Sequence, residues 1–125
     1  MVSEAGCAVS AAIAESLADA GADVGRDQLS AVVKLGKCLP HLVVRSRRAG
    51  DRFRPAGLGG TKKLQDYFVD KKVARTERDR VPLVVDSSDR IVWVGGHAVD
   101  EAFGVTDPGE AVLVLKMKKS RGGAV

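Results

Sequence analysis

Two apolar runs, Val81 to Val85 and Arg90 to Val94, are separated only by Asp86-Ser87-Ser88-Asp89. β-Branched and aromatic side chains suit a pleated surface, and four turn-forming polar residues let the chain reverse. This spacing predicts a β-hairpin, ended by Gly95-Gly96. Pro82 is compatible with it only at a strand start or on an edge. The neighbouring sequence supplies partners. His41 to Arg45 is a β-prone run after the break at Pro40, and Ala111 to Lys118 alternates partially as a last strand. Residues 62–70 read as a helix capped by Thr61, with Leu64, Tyr67 and Phe68 on one face. Residues 98–104 read as a short helix or loop, and Gly50–Pro55 and Gly57–Gly60 as loop. The fold class expected is α+β, a small mixed layered α/β domain.

The N-terminal third reads differently. Residues 7–20, CAVSAAIAESLADA, are alanine-rich, with Ile13 and Leu17 recurring at helical spacing and Gly21 as a stop. A helix is expected there. Residues 28–35 suggest a second short helix after Asp27, although a strand over Val32–Leu35 fits as well. The division expected is therefore a helical extension over 1–40, a domain over 41–118 and a frayed tail over 119–125. A chain of 125 residues is long enough for one domain with an appendage. It has no apolar run of about 18 residues. No basic cluster precedes its first apolar stretch, so cytoplasmic location is the default and no membrane partner is expected. Cys7 and Cys38 lack the spacing and companions of a metal site, so no metal is expected and both read as reduced, semi-buried thiols.

Charge is distributed unevenly. Residues 1–41 carry a net −2 and residues 81–125 a net −1, whereas residues 42–80 hold twelve cations against five carboxylates. The twelve are Arg45, Arg47, Arg48, Arg52, Arg54, Lys62, Lys63, Lys71, Lys72, Arg75, Arg78 and Arg80. Such a block points to a polyanionic partner, and all twelve are candidate RNA-binding residues. Arg45 and Arg47 share a strand face, and Lys62 and Lys63 stand at an expected helix start after Gly57, Gly59 and Gly60, where backbone N–H groups attract phosphate. Aromatic residues are few, which favours backbone and shape recognition over stacked bases. The opposing reading is a solvated face whose charges are paired by Asp51, Asp66, Asp70, Glu77 and Asp79.

The order of blocks in this segment is specific. Arg45, Arg47, Gly50, Asp51, Arg52, Phe53, Pro55 and Gly57 come first, and Lys62, Lys63 and Leu64 follow. Then come Arg78, Asp79, Arg80, Pro82, Leu83 and Asp86, and last Trp93, Val94 and Gly96. Over about residues 41–115 this pattern resembles the C-terminal domain of tRNA(Ile)-lysidine synthetase, with Ala74 standing where that family usually has Pro. The resemblance implies a fold related to a domain of the phenylalanyl-tRNA synthetase β subunit. It also implies a role in binding an isoleucine tRNA away from the chemistry of a ligase that uses ATP to join lysine to the anticodon cytidine. Residues 1–40 match nothing comparable.

Catalytic apparatus is not expected in this chain. The family's adenylating domain uses a Ser-Gly-Gly-x-Asp-Ser loop, and none of Gly59-Gly60, Gly95-Gly96 or Gly122-Gly123 lies in one. Gly59-Gly60-Thr61-Lys62 also fails the Gly-x-x-x-x-Gly-Lys-Ser/Thr pattern of a phosphate-binding loop. His97 near Asp100 and Glu101 lacks a nucleophile and reads as a surface histidine, Asp51 as the residue closing a turn, and Trp93 as core. No cofactor is expected in this chain. Two other readings compete. One is a protein-interaction domain that docks a catalytic ATP-pyrophosphatase-type subunit or self-associates. The other is a diverged enzyme that would need ATP turnover of its own.

Overall fold

A computed structural model of the chain describes residues 7–16, 30–34, 36, 42–107 and 109–119. The expected hairpin is its centre: β6 (Leu83–Val85) pairs antiparallel with β7 (Ile91–Val94), with a register shift between Val84 and Val85. On one side β3 (Val43–Arg45) pairs with β6, and on the other β8 (Ala98–Val99) pairs with β7. The sheet order is β3-β6-β7-β8. All seven residues of β6 and β7 are buried, so this sheet is covered on both faces.

One cover is a second sheet. β1 (Cys7–Ala14) and β2 (Ser30–Lys34) both pair antiparallel with β9 (Val112–Lys119), which lies between them. Val9, Ala31, Val33, Leu113, Leu115 and Met117 of this sheet form one core with Val84, Val92, Trp93 and Phe103. Trp93 is therefore core, as expected. The other cover is α1 (Leu64–Asp70), whose Leu64, Tyr67 and Phe68 pack with Phe53, Leu83, Val85, Ile91 and Val94. Each large side chain so buried contributes about 1.5–3 kcal/mol. Gly95 marks a close approach within these layers. A Cβ there would stand 2.7 Å from Pro82 Cγ and 3.2 Å from Met117 Sδ.

Several expectations are corrected. Cys7–Ala14 is strand, not helix, and Ser30–Lys34 is strand, which favours the alternative left open for Val32–Leu35. Alanine's helix propensity amounts to tenths of a kcal/mol per residue, less than the ladder and core that β9 offers. The expected N-terminal helical appendage is therefore replaced, where described, by strands that complete a sheet. The remaining parts of those expectations, 17–20, 28–29 and Leu35, lie outside the described residues, as do His41, Cys38 and 120–125. Lys119, assigned to the frayed tail, is the last residue of β9. The helix expected from 62 begins at Leu64. Lys62 and Lys63 instead form β5, paired with β4 (Arg52–Phe53), and Thr61 does not cap α1. Residues 98–104 contain β8 and a 3-10 turn, Glu101–Phe103.

Candidate nucleic-acid interface

The basic segment folds around one of its own cations. Arg45 follows Val44 in β3, and both are buried. Its guanidinium makes a forked contact with Asp51, 3.0 Å from Nη1 and 2.9 Å from Nη2, and donates from Nε to Asp89 Oδ1 at 3.1 Å. Asp51 Oδ2 also accepts the Arg48 backbone N–H at 2.7 Å, which closes the turn where Gly50 takes φ +87°. Burial alone would push the Asp51 carboxyl up. The Arg45 hydrogen bond, the Arg48 N–H and the adjacent positive charges together outweigh it and hold the carboxyl below its ordinary range. Reciprocally, the Asp51 hydrogen bond leads the contributions that raise the Arg45 pKa against the opposing effect of burial. Arg45 is thus an internal tie between β3, the Gly50 turn and the Asp86–Asp89 turn. Buried and doubly paired, it stands apart from the exposed cations of the candidate set.

The other candidates divide by what holds them. Arg52 and Lys63 are directly opposite each other across β4 and β5, and both are exposed. Among the described residues, no carboxylate lies within ion-pair distance of Arg52, Arg54, Lys63, Lys72 or Arg75. Arg47, half-buried, pairs through Nε with the exposed Asp79 at 2.8 Å, and Arg48 meets Asp89 at 3.9 Å, both of these side chains being exposed. Lys62 pairs with Asp70. Arg78 donates to the Val73 carbonyl at 2.9 Å, and Lys71 stands 5.7 Å over the Tyr67 ring, whose hydroxyl pKa burial raises. Arg80 is exposed next to Asp79.

Two concavities adjoin the Gly50–Asp51 turn. One, of about 340 Å³, is lined by Arg47, Arg48 and Lys63. The other, of about 580 Å³, is lined by Arg52, Arg54 and Arg90. Five of the expected cations are therefore gathered around one turn. Lys62, Lys71, Lys72, Arg75, Arg78 and Arg80 line neither of these two. Arg90 was missed by the sequence reading. Its signal was Asp86 four residues earlier, whose fully buried carboxylate accepts the Arg90 Nε at 2.7 Å. Lys62 and Lys63 form strand β5 rather than the first turn of a helix, where a phosphate site was expected, for α1 begins at Leu64. That helix has seven residues, and its first N–H, of Leu64, already donates to the Asp51 carbonyl at 2.9 Å.

Asp100 ties the Arg54 backbone to the turn at Glu101–Phe103. Its oxygens accept the Arg54 N–H at 2.9 Å and the Ala102 N–H at 2.8 Å. His97 is half-buried rather than on the open surface, its ring edge-on to Tyr67 and Phe68. Among the described residues there is no cluster of three or more metal-ligating side chains, and no helix is long and apolar enough to cross a membrane.

Comparison with known proteins agrees with this architecture. Residues 42–116 match the family described as the TilS substrate C-terminal domain. The tRNA(Ile)-lysidine synthase of Caldanaerobacter subterraneus subsp. tengcongensis is 47% identical over 78 residues, 62% of this chain and 16% of that protein. That of Dehalococcoides mccartyi is 34% identical over 98 residues, 78% of this chain and 21% of that protein. The chain thus spans only a minor part of the length of these relatives. A crystal structure of a TilS C-terminal domain superposes with a TM-score of 0.75 at 31% identity, covering 93% of this chain and 86% of that one. An N-terminal fragment of the phenylalanyl-tRNA synthetase β subunit from Pyrococcus horikoshii shares the fold, with a TM-score of 0.70 at 13% identity over 88% of this chain and 39% of that one. A mixed layered fold, the ordered sequence blocks and these matches agree: the chain belongs to the TilS C-terminal domain family.

Proposed function

We propose that this domain binds tRNA through the surface around the Gly50–Asp51 turn, and that it is non-catalytic by itself. The observation that carries the reading is the Arg52–Lys63 pair. Like charges directly opposite each other in an antiparallel ladder destabilise it by roughly 0.2–1 kcal/mol. Both side chains are exposed, and no carboxylate among the described residues relieves them. A polyanion laid across this ladder would turn the repulsion into attraction. Arg47 and Arg48 on one side and Arg54 on the other extend the same positive surface. Arginine forks and a lysine point charge are the groups that hold phosphate oxygens.

In this reading the partner is a folded tRNA of the isoleucine type, gripped mainly by its backbone. The ligase chemistry, lysine joined to the anticodon cytidine at the expense of ATP, belongs to a catalytic domain or chain distinct from this one. The setting is cytoplasmic, and the domain needs no cofactor.

The test is tRNA binding by gel shift over a range of salt concentrations. About five backbone contacts give a log–log slope of about −4 to −5. The double variant Arg52→Gln/Lys63→Gln should flatten the slope by about two units. It should melt no lower than the parent, because it removes a repulsion. A double variant that binds tRNA like the parent, with the same slope, would refute the proposed surface.

A further inference from the structure

We infer that the larger concavity takes one unpaired RNA nucleotide, its base stacked on the Arg90 guanidinium and its phosphate held by Arg52 and Arg54. The inference rests on the RNA-binding reading above and adds a contact to a base, where that reading needs only the backbone.

Arg90 is held on two sides. Its Nε donates to Asp86 Oδ2 at 2.7 Å, and the Asp86 carboxylate, fully buried, is fixed in turn by the N–H groups of Ser88 and Arg90. Its Cζ stands 5.2 Å from the centroid of Phe103, a ring only 2% exposed. The side chain is nevertheless 54% exposed. A guanidinium with one face on a buried ring has its other face available to a second π system, and unpaired bases are taken up on arginine planes in this way. The ordering cost of a long side chain is largely met before the ligand arrives.

The surroundings suit a nucleotide. The space, about 580 Å³, is of the size that binds small ligands. Arg52 and Arg54 flank the buried Phe53 and project to the opposite side from it. The Arg54 segment is strapped to the far wall, for Arg54 N donates to Asp100 and Glu101 N donates to the Arg54 carbonyl at 2.7 Å. The carboxylates lining the space are committed. Asp100 accepts two backbone N–H groups, while Asp89 and Asp51 both accept from Arg45. Arg52 and Arg54 are left without an ion-pair partner among the described residues, and Arg90 shares its charge with Asp86.

The test uses three synthetic RNA hairpins: blunt, carrying one unpaired 3′ purine nucleotide, and carrying the same nucleotide without its base. The purine overhang should bind the 125-residue chain about tenfold more tightly than the abasic one, a factor equivalent to about 1.4 kcal/mol and within the range for stacking one base. Arg90→Lys keeps the charge but loses the flat face. It should erase the purine–abasic difference. The proposal is overturned if the parent chain binds purine and abasic overhangs equally, a comparison that needs no variant, or if Arg90→Lys preserves the difference. Binding of the blunt hairpin without any gain from the base overturns this proposal alone. Failure to bind any hairpin or tRNA overturns the RNA-binding reading with it.

Discussion

Residues 45–54 and residues 71–80 carry five cations each, yet the fold treats them differently. In the first, Arg45 is spent inside the protein, and its contacts with Asp51 and Asp89 fix the backbone from which Arg47, Arg48, Arg52 and Arg54 project. In the second, the four-residue helix α2 (Arg75–Arg78) buries no side chain, its N-cap Ala74 offers no capping oxygen, and Lys72 adopts φ +57°. Asp79 joins the two segments, its carboxylate receiving Arg47 and its backbone carbonyl accepting the Ser46 hydroxyl at 3.2 Å. Equal charge therefore does not mean equal recognition. A cation on a pre-set backbone meets its phosphate with little left to order, whereas one on a loosely packed turn must be ordered during binding.

The sharpest way to break this contrast is Arg45→Met. Removing one partner of a buried ion pair strands the other, so the variant should lose about 3 kcal/mol or more of stability in urea denaturation. A loss below about 1 kcal/mol would mean that Arg45 does not organise its segment. Next in size is the division of RNA affinity. Arg48→Gln/Arg52→Gln/Arg54→Gln should weaken tRNA binding roughly 10- to 100-fold at low salt, and Lys71→Gln/Lys72→Gln/Arg75→Gln by less than about fivefold. Equal losses would erase the distinction between the segments. Acid unfolding should sharpen it. The Asp51 carboxyl titrates below its ordinary value of 3.8, so its contribution to stability is complete above that value and is lost as pH falls through the lower folded one. Asp51→Asn should therefore flatten the acid limb of stability against pH without changing its shape above pH about 5. The smallest effect is Arg75→Ala, which should leave the melting free energy within about 0.5 kcal/mol of the parent.

What the sequence revealed follows the same division. The hairpin was legible because Val81–Val85 and Arg90–Val94 are rich in strand formers and the residues between them can only turn. The buried face of α1 was legible because Leu64, Tyr67 and Phe68 are large and correctly spaced. Strand β1 was not legible. In CAVSAAIA only Val9 is known to enter the core, and the exposed Ser10, Ala11, Ala12 and Ile13 give no strong alternation to set against alanine's helical preference. The cationic block was legible as charge, but its inward member was not. Nothing local distinguishes Arg45 from Arg47, and the Asp89 that helps to hold it lies 44 residues away. Arg90 was overlooked because it stands alone outside the block, and the ring beneath it, Phe103, comes from a separate turn.

The position of β9 has a consequence for the order in which the chain can assemble. The hairpin closes across a few residues, so it can form as soon as it is synthesised. β1 and β2 have no mutual ladder, and both depend on a strand made much later, with Cys7 opposite Lys119 and Ser30 opposite Lys116. Until that strand leaves the ribosome, the N-terminal segments have neither register nor cover, and closing so long a loop is slow. A premature stop before Val112 would thus remove one strand and orphan two others.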